Sequence, residues 1–167
     1  MQMLDIPSIS AIVAAAGVLV GVVLTVVELR NLVKQRQTDL VIRLSSDTRS
    51  GEFLGAIIDT FEVEFKDYGD FVKKYGMLFS KNQVPMSFLM VGNFFEQLGV
   101  LLKNGLIDAH LINQLFPISV TWEKMKPLVE GLRKEYHGPQ YYEWFEYLYN
   151  EMKKREKQLQ QKGVRNG

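Results

Sequence analysis

The sequence predicts an all-α protein, with one N-terminal transmembrane helix continuing into a cytoplasmic helical bundle of about five or six helices. Two observations carry this. Residues 6–27 hold no charged side chain, and from there to residue 152 apolar residues recur at steps of three and four. Gly, Pro, Asn and Asp fall between these periodic stretches, where helices stop and start. The expected organisation is a signal anchor over 1–30, a helical bundle over 31–152 and a basic tail over 153–167.

The first element is the apolar run ISAIVAAAGVLVGVVLTVV, Ile9–Val27. At about 1.5 Å per residue it reaches roughly 28 Å as a helix, close to the hydrocarbon thickness of a bilayer. Eleven of its residues are Val, Ile or Leu, which favour insertion by about −0.3 to −0.6 kcal/mol each. A helix apolar on every face has little room to bury itself in a chain of this size. No Lys or Arg precedes the run, and Glu28, Leu29 and Arg30 follow it where a cleavage site needs small residues, so the expectation is an uncleaved anchor. Asp5 lies before the span, whereas Arg30, Lys34, Arg36 and Arg43 follow it. The positive-inside rule then places the N-terminus outside and the long C-terminal part in the cytoplasm of a single-pass cell-membrane protein. Ala14, Gly17 and Gly21 lie on one small-residue face, with Gly17 and Gly21 forming a GxxxG pair suited to close helix approach. They are the candidate contacts for a protein partner or a homo-oligomer. Arg30, Lys34 and Arg36 are the candidate membrane-surface contacts, since cations there are attracted to anionic headgroups.

Periodicity continues unbroken through Leu29, Val33, Arg36 and Leu40, so the span is read as the first half of a long helix ending near Ser45–Ser50. The next helix is expected over Gly51–Tyr68, with Leu54, Ile58, Phe61, Phe65 and Tyr68 as its apolar stripe and Gly69 as its stop; FEVEF alternates with period two and is the competing strand signal. Asp70 is expected to cap a short helix ended by Gly76. Pro85 is expected to open the central core helix, Met86–Lys103, with the seam Phe88, Val91, Phe95, Leu98 and Leu102; Gly92 and Gly99 allow a neighbour to approach closely. Asp108 caps Ala109–Leu115, and Ile118–Tyr136 follows Pro117 with Pro127 kinking its interior. Gly138-Pro139 starts the last helix, whose face is Tyr141, Phe145, Leu148 and Met152. The tail from Lys153 holds six Lys or Arg against Glu156 alone and reads as a frayed basic end.

Composition excludes several chemistries. There is no cysteine, which removes disulfides, a thiol nucleophile and thiolate metal sites. The net charge of +1 gives no footprint for nucleic acid. His110 and His137 are the only histidines, and no HExxH, P-loop, GxGxxG or GxSxG motif occurs. No catalytic, cofactor or metal residue is therefore assigned. Between Glu52 and Asp70 six acids stand against Lys66; without the EF-hand ligand order this reads as a solvated face, with attraction to the basic tail as the second reading. His137, before Gly138, reads as a cation at a helix C-terminus. Glu96, among Phe94, Phe95 and Leu98, needs a donor if buried, and Arg133 and Trp122 are the expected ones. Glu96, Trp122 and Arg133 make the candidate buried polar cluster.

Four stretches carry a resemblance: ELRNLVKQRQTDLVIRL, NFFEQLGVLLKNGLID, W-x-x-x-x-P-L-V-x-x-L-R and Y-x-x-F-E-Y-L, in that order after an apolar span. Over residues 9–150 the chain resembles a family of small membrane-anchored prokaryotic proteins known only as a domain of unknown function. The resemblance implies that Glu96, Trp122 and Arg133 belong to the shared bundle and that the source is prokaryotic. The expected role is an anchored interaction or scaffold module. An accessory subunit of a larger membrane complex and an enzyme using Glu96 in a bundle pocket are the alternatives.

Overall fold

In the computed structural model the backbone is described for residues 6–165 and side chains for residues 10–161. Asp5 lies outside the described residues. Among those described there are seven helices and no strand: α1 (Ile6–Asp47), α2 (Gly51–Glu62), α3 (Tyr68–Tyr75), α4 (Gln83–Lys103), α5 (Ala109–Leu115), α6 (Ile118–Glu135) and α7 (Glu143–Arg165). The chain divides into two units, Met1–Asp39 and Leu40–Gly167. The first is the apolar length of α1, with every described side chain from Ser10 to Arg36 exposed. It is long and apolar enough to cross a membrane. In the second unit, Val41 is fully buried and Leu40 and Leu44 pack on the core.

α4 is the centre of the second unit. It packs against α2, α6 and α7, while α3 rests on α6. Phe88, Val91, Phe95 and Leu98 are buried as the periodicity requires. α4 is also apolar enough in composition to span a membrane, but half of its most apolar window is buried inside the bundle, which is how a core helix satisfies its apolar faces. The helix begins two residues before the expected Pro85, which occupies its first turn, where a missing N–H leaves no bond unmade. Glycine is required at Gly99: a Cβ there would stand 2.0 Å from the Trp144 carbonyl oxygen.

In α2 and α3, two expected boundaries and one expected face differ. α2 ends at Glu62, six residues short of the expected Tyr68. Val63 is extended, residues 63–65 lie outside any helix, and two of the freed carbonyls find other donors: Val63 O accepts from Lys124 Nζ at 2.6 Å, and Glu64 O from Lys74 Nζ and Tyr75 Oη, each at 3.2 Å. The period-two signal of FEVEF is real, since Val63 is buried, Phe65 is half-buried and Glu62 and Glu64 are exposed, yet no partner strand is present among the described residues. Asp67, not Asp70, caps α3, accepting from Asp70 N at 2.9 Å; Asp70 in turn accepts from Lys66 N at 3.1 Å, and Gly69 lies within the first turn. On α2 the packed residues are Phe53, Ala56, Ile57 and Thr60, while Leu54, Ile58 and Phe61 face solvent.

Asp108 caps α5 as expected, accepting from His110 N and Leu111 N at 2.8 and 3.1 Å. α6 continues through Pro127 and ends at Glu135 with Tyr136 as its C-cap, after which His137 takes a left-handed conformation (φ 49°) and Gly138 N donates to Arg133 O at 3.1 Å, the signature of a Schellman closure. α7 starts at Glu143 rather than at Gly138-Pro139 because Tyr142 is also left-handed (φ 56°) and residues 138–142 form turns. Tyr141 is therefore outside the helix, whereas Phe145, Leu148 and Met152 are fully buried.

Candidate functional site

Glu96 is the carboxylate that the fold draws inward. α4 carries it to the first turn of α7, where the backbone N–H groups have no partner within their own helix. Glu96 Oε2 accepts from Phe145 N at 2.8 Å and Oε1 from Trp144 N at 3.4 Å. A side chain from a neighbouring helix thus caps α7, and its negative charge lies at the positive end of that helix. Burial raises its pKa; the two backbone bonds and Arg133 oppose this, and Glu143 adds to it.

The expected donors lie elsewhere. Arg133 donates through Nε to Tyr141 O at 2.9 Å and through Nη1 to Glu146 Oε2 at 2.7 Å, so it ties the end of α6 to the turn and first helical turn that follow. Its Nη2 is buried without a hydrogen-bond partner. Trp122 is 2% exposed and packs edge-on against Phe145, ring centroids 5.0 Å apart. Glu96, Arg133 and Trp122 therefore converge on one object, the start of α7, without Glu96 taking its bonds from either of the others. The sequence signal that identifies the true donors is the left-handed break before Glu143, which single-residue propensity does not reveal at a Tyr.

Several contributing residues escape a reading by periodicity. Gly131 lets Tyr68 sit on α6: a Cβ there would be 2.0 Å from Tyr68 Cβ. Burial, reinforced by Tyr136, pushes the Tyr68 hydroxyl pKa up to about 12. Ser87 Oγ donates to Asp59 Oδ2 at 2.7 Å and joins α2 to α4. Phe79, Tyr136 and Tyr141 form an aromatic cluster with centroids 5.7 to 6.3 Å apart.

The ionisable groups singled out for chemistry are engaged in structural contacts. Both carboxylate oxygens of Glu96 are engaged by backbone. Asp108 is occupied as a cap, and His110 Nε2 lies 3.2 Å from Gln114 Nε2. Among the described residues no group of three or more His, Cys, Asp or Glu could hold a metal ion. A groove of about 360 Å³ between α2 and α4, lined in part by Gly51, Gly55, Asp59, Met86 and Met90, is open to solvent and contains neither Glu96 nor a histidine.

The residues assigned to the membrane segment and its edge are all on the first unit. Ala14, Gly17 and Gly21 are exposed, and a Cβ added at either glycine would meet nothing within 4 Å. Thr25 Oγ1 donates to Gly21 O at 2.9 Å, so its hydroxyl is satisfied within the helix. Arg30, Lys34 and Arg36 are exposed about one to three turns further on.

Comparison with protein families finds a match to a domain of unknown function (DUF4760) over residues 11–152. No curated protein and no solved structure matches the chain.

Proposed function

The chain belongs to the DUF4760 family, a domain of unknown function, and on that footing we propose that it is a membrane-anchored helical module whose task is to hold protein contacts at a bilayer surface. The observation that carries the reading is the contrast between the two units. The bundle has a buried apolar core of its own, whereas the apolar length of α1 buries none of its most apolar window. A chain exposing Ile12, Val13, Val18, Leu19, Val20, Val22, Val23 and Leu24, each at 56% or more, needs an apolar phase around that helix.

Lipid supplies that phase, with Arg30, Lys34 and Arg36 at headgroup level and the bundle on the cytoplasmic side, as the positive-inside rule requires. Ala14, Gly17 and Gly21 then face lipid or a second span, and close packing favours the second span. What supports an interaction role over an enzymatic one is that Glu96 is consumed in capping α7. The experiment is carbonate washing of vesicles that contain the full chain. Retention in the membrane pellet is the expected result, and release of the intact chain into the supernatant overturns the anchor.

A further inference from the structure

α2 leaves an apolar stripe uncovered. Leu54, Ile58 and Phe61, at steps of four and three, are 50%, 55% and 37% exposed, while the opposite side of the helix packs on α4. Acids edge the stripe at its C-terminal end: Glu62 on the helix, one turn after Ile58, and Glu64 and Asp67 just beyond, all exposed, whereas Glu52 lines the groove towards α4. The end of α7 has the complementary character. Beyond Met152, the last buried residue among those described, the helix runs on to Arg165 in a segment with six Lys or Arg against Glu156. Leu159 follows Met152 by seven residues, as Met152 follows Phe145, so it prolongs the packed face of α7 past the core, where it is 64% exposed. Both features are uncovered within one chain, so this chain's own α7 does not cover its α2.

We propose that the Leu54–Ile58–Phe61 face of α2 receives the basic end of α7, running antiparallel, from a second copy of this chain, with Leu159 against Ile58 and the exposed Arg155, one turn before Leu159, against Glu62. The acidic edge decides between occupants. It repels an anionic lipid surface and attracts a cationic helix, and the chain carries such a helix. Because the two surfaces differ, the contact is head-to-tail and repeats from copy to copy. The inference rests on the interaction reading above, but not on the anchor. Carbonate washing reports the anchor alone and the experiment below this contact alone, so either can fail without the other.

The chain has no cysteine, so single cysteines report unambiguously. Full-length Ile58→Cys and Leu159→Cys variants, both at exposed positions, are mixed in detergent micelles and oxidised. The expected product is the mixed disulfide, in several-fold excess over either symmetric one. Its yield should fall several-fold in about 0.5 M salt, where screening shortens to a few ångströms. A yield no greater than that of Ile58→Cys mixed with Lys126→Cys overturns the proposal. So does a dominant symmetric dimer of the Ile58→Cys variant, or a mixed disulfide that is insensitive to salt. Shielding of the Ile58→Cys thiol by anionic vesicles, without the mixed disulfide, assigns the face to lipid and overturns it equally.

Discussion

At the scale of single residues, a half-buried carboxylate holds two helices in register. Glu96→Ala leaves the N–H groups of Trp144 and Phe145 without their acceptor. Loss of a cap of this kind costs about 1–2 kcal/mol, to be measured by urea unfolding in micelles at pH 5, read by Trp fluorescence. The pH dependence has a definite sign. Burial outweighs the bonds to the charged form, so the folded carboxyl holds its proton above the ordinary value of 4.5. That contribution is fully present below the unfolded value and is lost as pH rises through the folded one. The stability of the chain relative to a Glu96→Gln variant therefore falls as pH rises past the ordinary carboxyl value of 4.5; a gap that widens with pH contradicts the burial argument. His137 offers the opposite test. It is exposed, with φ 49° at the end of α6, a conformation glycine adopts without penalty. His137→Gly should raise stability by about 0.5–1 kcal/mol in the same unfolding experiment. A loss would mean that the imidazole contributes more than its backbone conformation costs.

At the scale of elements, the sequence was legible where a stripe had one solution and illegible where it had two. α4 has one dominant apolar face, and the seam Phe88, Val91, Phe95, Leu98 was readable from spacing alone. α2 carries two, Phe53/Ile57/Thr60 and Leu54/Ile58/Phe61, at the same period. The more apolar set is the exposed one, because Ala56 and Thr60 lie between α2 and α4 with Thr60 bonded internally to Ala56 O at 2.8 Å. Periodicity gives the stripe but not which neighbour arrives. A substitution separates the two faces: Ile58→Ser should change stability by less than about 0.5 kcal/mol, as an exposed site does, whereas Phe88→Ala should cost about 3–5 kcal/mol. The close approach at Gly99 is the matching test between elements. The obstacle to a Cβ there is backbone, so Gly99→Ala must move α7 and with it the acceptor geometry at Glu96. Overpacking typically costs about 1–3 kcal/mol, and the same unfolding curve measures it. The start of α7 was not legible for a related reason: Gly138-Pro139 carries the breaker signal, but the break itself falls at Tyr142.

At the scale of the molecule, the bundle and an anchor of the kind proposed above would obey different rules for helix association. In the bundle, apolar side chains leave water, and large residues drive the contact. In lipid that drive is absent, since hydrocarbon surrounds the helix whether or not it is paired, and association depends on how closely two backbones can pack. Small residues therefore change meaning between the units: Gly99 is a clearance for a neighbour already present, while Gly17 and Gly21 leave a surface with nothing against it. If the apolar length of α1 pairs with another copy through that surface, replacing Gly17 and Gly21 by Ile adds apolar bulk and should still weaken the pair. Apolar burial in water would predict the reverse. Energy transfer between donor- and acceptor-labelled full-length chains in lipid vesicles, followed as the lipid dilution increases, reads the difference. The Gly17→Ile, Gly21→Ile chain should dissociate at several-fold lower dilution than the unaltered one, with the bundle's unfolding curve unchanged. Equal transfer at every dilution removes the glycine pair as a contact, and greater transfer in the variant shows that bulk rather than close packing governs this helix.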